Sequence, residues 1–164
     1  MKLVFLMLAA LGLGSCATAP KLETAGAAQD LAPPEVAANF DAYQGQRVVW
    51  GGLIVNHTSL AESTMLEVLA YPLSGNLEPK TQAQPLGRFI LQSDSFLEPI
   101  DYSPGREMTV VGSITKTTTG RIGEMEYTYP VLRPEQIYLW PREKEAGGGG
   151  RTGFHFGIGV GIGL

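Results

Sequence analysis

The stretch VVWGGLIVN, residues 48–56, decides the fold of this chain. Successive side chains of a strand point to opposite faces, and both faces are apolar here, with Trp50 on one and Leu53 on the other. A strand that is apolar on both faces is typical of the centre of a sheet, and the pair Gly51-Gly52 permits a bend or a bulge. The stretch therefore predicts a central, bent β-strand.

Further strands follow at short intervals toward the C-terminus. Alternation of apolar and polar residues indicates half-buried strands, and it predicts them at residues 64–71, 87–92, 108–115, 122–129 and 137–140. The polar turn at 58–63 joins the first two strands into an antiparallel hairpin. A turn at Thr119-Gly120-Arg121 is expected to join the strand at 108–115 to the one that follows it.

The strand pattern indicates an antiparallel all-β protein. No segment predicts a helix long enough for the crossover of a parallel sheet. Phe96, Leu97 and Ile100 are expected to fill the core from the irregular segment 93–104. The spacing favours a small OB-like barrel of five or six strands, and a small sandwich is the alternative.

Composition limits the class of partner. The chain has 164 residues, 44% of them hydrophobic and 17% charged, with a formal charge of −4. This size suits one domain with tails. Binders of nucleic acid carry a basic patch that displaces counterions, so the acidic balance predicts no nucleic-acid partner. Acidic lipid headgroups would not attract this chain either, and membrane attachment would have to come from acyl chains.

The N-terminus has the layout of a secretory signal. Lys2 supplies the positive start, the apolar run 3–13 follows, and the small residues Gly14 and Ser15 precede Cys16. The run is shorter than the roughly 20 residues that span a bilayer. An apolar residue, two small residues and a cysteine resemble the bacterial lipobox, although an ordinary signal that happens to contain a cysteine is the alternative.

The resemblance to a lipobox implies a lipidated N-terminus. It implies diacylglyceryl transfer to the thiol of Cys16, cleavage between Ser15 and Cys16, and acylation of the new amino terminus, for example by palmitate. Cys16 is the only cysteine, so the exported chain can form no internal disulfide. A single cysteine at the lipobox position is consistent with a thiol that is used for lipid attachment.

Four segments are therefore expected along the chain. A signal peptide at 1–15 precedes a lipidated tether at 16–42, which is rich in Ala, Thr, Pro and Gly and has a short helix near 35–42. The barrel occupies 43–141, and a Gly-rich tail occupies 142–164.

The tail alternates apolar residues with glycine over 154–164. Such a strand has one apolar face, so we expect it to associate with the membrane or with other copies of itself; a disordered end is the alternative.

The chain carries no motif of a known catalytic, cofactor or metal site. We therefore assign no catalytic, cofactor-binding or metal-binding residue. The two histidines, His57 and His155, lie far apart in sequence, and His57 is expected to be a solvated turn residue. Lys116 and Arg121 would lie near a weakly basic hairpin tip, which is ordinary for an exposed hairpin.

Two groups of acidic residues can be interpreted either structurally or functionally. Asp94, Glu98 and Asp101 could bind calcium, but their spacing does not match an EF-hand loop, and turn formation is favoured. Glu124 and Glu126 could form a catalytic carboxylate pair, but the solvent side of an amphipathic strand is the favoured explanation. Neither group identifies an enzyme.

The order of short motifs resembles the Slp-type outer-membrane lipoproteins. The motifs, within residues 43–141, are Gly45-Gln46, Val48-Val49-Trp50-Gly51-Gly52, Ile54-Val55-Asn56, Glu67-Val68-Leu69-Ala70-Tyr71-Pro72-Leu73, Gly87-Arg88-Phe89, Phe96-Leu97-Glu98-Pro99, Pro104-Gly105-Arg106, Thr109-Val110-Val111-Gly112, Ile122-Gly123-Glu124, Tyr127-Thr128-Tyr129-Pro130 and Leu139-Trp140-Pro141. Asp is usual in the family where this chain has Glu98. Of the family's functional residues, only the lipidated cysteine transfers, to Cys16.

The resemblance implies a starvation- or stress-linked lipoprotein on the periplasmic face of the outer membrane. Ala17 follows the cysteine, where Asp would resemble an inner-membrane retention signal. We expect a non-enzymatic structural or binding role, with the membrane, an envelope protein or a second copy as partner and no cofactor. The alternatives are a module that holds a lipid, glycan or peptide in an apolar cavity and, third, an unrecognised envelope enzyme.

Overall fold

The structure, a computed structural model, describes residues 21–142. The signal sequence, Cys16 and the apolar tail 154–164 lie outside these residues. The elements are two short helices, α1 (Pro33–Ala38) and α2 (Phe40–Tyr43), and five strands, β1 (Arg47–Ser59), β2 (Thr64–Tyr71), β3 (Gly87–Ser93), β4 (Glu107–Ile122) and β5 (Met125–Leu139). Neither helix of this part of the chain is long and apolar enough to cross a membrane.

The five strands form a closed barrel in the order β1-β2-β3-β5-β4, and β4 pairs back onto β1. This is the Greek-key arrangement of an OB-type barrel. The prediction of an all-β, OB-like barrel is therefore confirmed, with five strands. The expectation of purely antiparallel pairing is wrong at one place: β3 and β5 pair in parallel at Ile90–Val131 and Leu91–Leu132. The two strands can meet without a crossover helix because β4 separates them in the chain.

β1 serves both halves of the barrel because it pairs with β4 over residues 47–53 and with β2 over residues 51–59. The bulge in β1 falls between Ile54 and Asn56, beyond the glycine pair. Gly52 instead permits a close approach: a Cβ there would lie 1.9 Å from the carbonyl oxygen of Leu69. The first strand is thus bent at its bulge and closely packed at its glycines.

The second hairpin is longer than predicted. The turn lies at Gly123, whose φ is +61°, rather than at Thr119-Gly120-Arg121. The strand expected separately at 137–140 belongs to the far end of β5, where Ile137 pairs with Val110. Bulges between Val111 and Gly112 and between Ile114 and Lys116 shift the phase of the alternation. The alternation of apolar and polar residues along β4 and β5 is therefore interrupted, although the two strands continue.

Side chains from all five strands fill the barrel. The most buried ones, each at most 4% exposed, are Val48, Trp50, Ile54, Leu66, Val68, Phe89, Leu91, Met108, Val110, Ile114 and Leu132. The rings of Trp50 and Phe89 pack with centroids 5.0 Å apart. The interior of the barrel is therefore occupied by the protein's own side chains.

The N-terminal segment differs from the expected tether, because from Glu23 onward it is bonded to the barrel. The backbone N–H of Glu23 donates to Oε1 of Gln136 at 2.7 Å. Ala28 forms a bridge with Val48, and Val36 in α1 is fully buried in the core. The expected single helix near 35–42 is divided into α1 and α2 at Asn39. Residues 23–42 thus belong to the folded domain.

Of the three apolar side chains expected to fill the core from the connection between β3 and β4, Leu97 does so and two do not. Leu97 packs against the core, but Phe96 is 65% and Ile100 70% exposed. The backbone N–H of Leu97 donates to Oγ1 of Thr64 at 3.0 Å. This bond fixes the loop so that the neighbouring Phe96 is presented to solvent.

Candidate functional site

His57 fixes a loop rather than lying free in a turn. Its Nε2 is 3.0 Å from the carbonyl oxygen of Leu97. A carbonyl oxygen only accepts, so Nε2 must carry the hydrogen. The expectation of a solvated turn residue is therefore wrong: His57 lies on β1 and holds the β3–β4 connection against the barrel.

The acidic residues singled out in the sequence lie in solvent or in surface ion pairs. Asp94 pairs with Arg133, with Oδ2 and Nη2 2.7 Å apart and both side chains exposed. The carbonyl oxygen of Glu98 accepts from the N–H groups of Asp101 and Tyr102 in a turn. Within residues 21–142, no three His, Cys, Asp or Glu side chains converge on a metal position.

The tip of the second hairpin carries the other predicted residues. Glu124 and Glu126 are exposed, and Nη2 of Arg121 donates to the carbonyl oxygen of Glu124 at 3.2 Å. Lys116 is also on β4, six residues before its end, and is exposed. Arg121, Glu124 and Glu126 thus line an open, solvated pocket at the hairpin tip, and Lys116 lies further along β4, opposite Val131.

The outer face of β2 and β3, where OB folds bind their ligands, is partly covered by side chains of β5. Glu67 and Arg88 form an ion pair there, with Oε1 and Nη1 2.6 Å apart. The hydroxyl of Tyr129 donates to Glu67 at 3.1 Å, and the hydroxyl of Tyr127 accepts from the backbone N–H of Arg88 at 2.9 Å. Burial, followed by the carboxylate of Glu67, raises the pKa of Tyr129. Part of this face is thus occupied by the protein's own side chains.

An open groove of about 940 Å³ lies at the end of the barrel where β4 begins and β5 ends. It is lined by the loop 78–82, by residues 105–107 and by residues 140–142. We call it the Arg106 groove. The backbone N–H of Trp140 donates to the carbonyl oxygen of Glu107 at 3.0 Å, which holds two of these segments together.

Side-chain bonds attach the third segment of the groove. Oγ1 of Thr81 donates to Oε1 of Glu107 at 3.2 Å. The indole N–H of Trp140 donates to Oγ1 of Thr109 at 2.9 Å, and that hydroxyl donates to the carbonyl oxygen of Leu77 at 2.7 Å. The walls of the groove are therefore tied to one another and to the barrel.

Arg106 brings a buried donor without a partner to this groove. Its Nη2 donates to the carbonyl oxygen of Trp140 at 3.1 Å. Its Nε is buried and has no hydrogen-bond partner among the described residues. Sequence reasoning did not single out Arg106 as a site residue, because an arginine after a Pro-Gly turn is a common surface residue; only its place in the folded barrel distinguishes it.

The barrel and its filled interior define residues 21–142 as a small OB-type module. The chain belongs to the outer membrane lipoprotein Slp family, whose model matches residues 13–154. The family resemblance seen in the sequence is thereby confirmed, and the protein is an outer-membrane lipoprotein.

Two relatives come from other bacteria. An uncharacterized protein of Haemophilus influenzae is 40% identical over 91 residues, which are 55% of this chain and 49% of that protein. The uncharacterized lipoprotein YeaY of Escherichia coli is 31% identical over 134 residues, 80% of this chain and 68% of YeaY. The chain thus matches about half of the first relative and about two thirds of the second.

Solved structures with a similar barrel are more distant. The mitochondrial single-stranded DNA-binding protein Rim1 of Saccharomyces cerevisiae aligns with a TM-score of 0.36 at 14% identity, over 58% of this chain and 95% of Rim1. A small single-stranded DNA-binding protein of Streptomyces coelicolor gives 0.37 at 12% identity, over 58% and 94%. Nothing about a ligand of this chain follows from likenesses at that level.

Proposed function

We propose that this protein is anchored to the outer membrane by acyl chains on Cys16, faces the periplasm and has a non-enzymatic structural or binding role in the cell envelope. Cleavage between Ser15 and Cys16 would create the lipidated N-terminus. The role is linked to starvation or stress, as the family resemblance implies. The described domain then lies in the periplasm, where an envelope protein can reach it.

Anchoring is supported by the family and by physical chemistry. The match to the family model begins at residue 13, so it includes Gly14, Ser15 and Cys16. Each buried methylene of an acyl chain contributes about 0.8 kcal/mol, and two or three chains hold a protein stably where one holds it marginally. The acyl chains alone can therefore provide the attachment.

The observation that carries a surface-binding role is the filled barrel. Its interior leaves no room for the apolar cavity that a lipid-holding module would need. Glu124 and Glu126, the carboxylates considered for catalysis, are exposed to solvent. Phe96 and Ile100 are instead displayed on a fixed loop, which suits contact with another protein. A small glycan or peptide would have to use an open groove.

The anchoring test uses Cys16→Ala and Ala17→Asp in an enteric host. We expect wild type to incorporate labelled palmitate and to sediment with outer membranes. Cys16→Ala should lose the label and leave the outer-membrane fraction, and Ala17→Asp should keep the label but move to the inner membrane. Protease should reach the barrel only after the outer membrane is permeabilised. A Cys16→Ala protein that stays in the outer membrane would overturn the anchoring proposal.

The binding test is crosslinking in the native envelope followed by pull-down. Phe96→Ser with Ile100→Ser should remove the crosslinked partner. Leu86→Ser, which changes another exposed apolar residue, is the matched control and should keep it. If wild type, the double variant and Leu86→Ser all give the same yield of crosslinked partner, Phe96 and Ile100 are not the contact.

A further inference from the structure

We propose that the Arg106 groove binds an oxyanion group, a carboxylate or a phosphate, through the guanidinium of Arg106. The site goes beyond the anchoring and binding roles above, because it assigns a ligand chemistry to named atoms. It does not depend on lipidation of Cys16.

The first step is the unbalanced charge of Arg106. The ion pairs within residues 21–142 join Arg47 to Glu135, Arg88 to Glu67 and Arg133 to Asp94. Arg106 forms no ion pair with a residue of this part of the chain. A partly buried guanidinium is stabilised most by a carboxylate or phosphate that accepts two parallel N–H bonds. Arg106 therefore lacks the ion-pair partner that an arginine prefers, although Glu78 and Glu107 line the same groove.

The second step is the orientation of the guanidinium. The bond from Nη2 to the carbonyl oxygen of Trp140 fixes one side of the planar group. Nε is enclosed without a partner, and a buried donor left unpaired costs about 1–3 kcal/mol. A small movement of the side chain toward a bound oxyanion would let Nε and an Nη donate together. The pre-oriented fork then lowers the entropy lost on binding.

The third step is the local charge. Arg106, Lys80 and Arg142 line the groove together with two carboxylates, Glu78 and Glu107. Glu107 already accepts a hydrogen bond from Thr81. Arg106 and Lys80 thus present cationic side chains at this groove on a chain whose formal charge is −4, and cations that line a concavity attract anions.

The oxyanion can come from two sources. One source is the chain itself, because Glu143 and Glu145 come shortly after Arg142 in the sequence. The other source is a separate molecule with a carboxylate or phosphate group. Both sources present the same chemistry to Arg106.

The test follows the side-chain Nε–H signal of Arg106 by ¹H–¹⁵N NMR. A buried Nε–H exchanges slowly with water, so it is expected to be visible. The protein is the chain from residue 16 to 164 with Cys16→Ala, which separates this test from the anchoring test. The probes are sodium phosphate and sodium acetate at constant ionic strength. We expect a saturable shift at millimolar concentrations.

Variants identify the residue and the source. Arg106→Gln should weaken binding at least about tenfold, as followed by the indole N–H signal of Trp140, and Arg106→Lys should be intermediate. Arg121→Gln, on the distant hairpin, should bind like wild type. Circular dichroism checks that each variant is folded. If the shift appears only in the protein with Glu143→Gln and Glu145→Gln, the chain's own carboxylates fill the groove. If the shift already appears in the parent protein, the groove is open to an external ligand.

The proposal is overturned if neither probe gives a saturable shift in the parent or in the protein without Glu143 and Glu145. It is also overturned if folded Arg106→Gln and Arg106→Lys proteins bind as tightly as the parent.

Discussion

Gly52 shows how one missing side chain permits the pairing of β1 with β2. A Cβ on Gly52 would lie 1.9 Å from the carbonyl oxygen of Leu69 and 2.7 Å from its carbonyl carbon. Both atoms are backbone, so no side-chain movement can relieve the overlap. The position tolerates glycine only.

We predict that Gly52→Ala lowers the free energy of unfolding by about 3 kcal/mol or more, because the strands must separate to admit the methyl group. Gly75→Ala is the control, since nothing lies within 4 Å of its Cβ position, and it should change stability by at most about 0.5 kcal/mol. Urea unfolding measures both. Equal midpoints for the two variants would contradict the close approach.

Glu135 connects the N-terminal segment to the barrel through Arg47. The guanidinium of Arg47 contacts Glu135 at 2.8 Å and donates to the carbonyl oxygen of Ala25 at 2.6 Å. The hydrogen bond from Arg47 lowers the pKa of Glu135 below its ordinary value of 4.5. A carboxylate with a lowered pKa stabilises the folded state above its unfolded pKa, and that stability is lost as the pH falls through the folded pKa.

We therefore predict that the wild-type Tm falls more than the Tm of Glu135→Gln when the pH is lowered from about 6 to about 3. The pair is largely exposed, so added salt should reduce the difference between the two proteins. Calorimetry at several pH values is the measurement. Parallel pH profiles would show that the ion pair contributes nothing.

At the scale of the element, α1 and the segment before it are part of the barrel. Nε1 of Trp50, at the centre of β1, donates to the carbonyl oxygen of Leu31 at 2.6 Å. Val36 is fully buried in the same cluster as Trp50 and Phe89. The segment thus covers one opening of the barrel.

We predict that Val36→Ala lowers the free energy of unfolding by about 2 kcal/mol, because two buried methyl groups are lost and a cavity remains. Leu60→Ala removes more atoms from a side chain that is 47% exposed, and it should cost less than about 1 kcal/mol. Denaturant unfolding compares them. If Val36→Ala is the milder change, the segment does not fold with the barrel.

The sequence predicts the strands well where one pattern runs unbroken. β2 begins and ends at the predicted residues, 64–71, because its inward and outward residues alternate without a bulge. β4 and β5 were predicted in pieces because two bulges shift the phase and because Gly120 resembles a turn residue. Gly120 instead accommodates the ring of Tyr129, which would lie 3.0 Å from a Cβ.

Other features cannot be read from residue types. Glu23, Ala28 and Leu31 are bound to the barrel largely through backbone groups, which every residue possesses. Arg106 lies in a groove whose lining segments are distant in sequence and meet only in the folded barrel. The sequence thus predicts the class of fold but not the groove.

At the scale of the whole molecule, the tail adds a second candidate contact with the envelope. Residues 154–164 alternate apolar residues with glycine after a spacer at 147–150. We predict that deleting 147–164 from a Cys16→Ala protein reduces both membrane partition and oligomer size, because the apolar face is removed. Liposome flotation and light scattering measure these properties. No change in either would leave the tail without a binding role.

The hydrogen bond at Glu23 has a consequence for where the barrel can meet other molecules. Cys16 precedes Glu23 by seven residues, and seven residues span at most about 25 Å. With lipid on Cys16, the barrel diffuses laterally in a thin layer beside the bilayer, and its search is nearly two-dimensional. A partner in the same membrane meets it at an effective concentration that can approach the millimolar range. Under such confinement, weak contacts of the kind that an open groove offers are sufficient for the barrel to bind a partner in the same membrane.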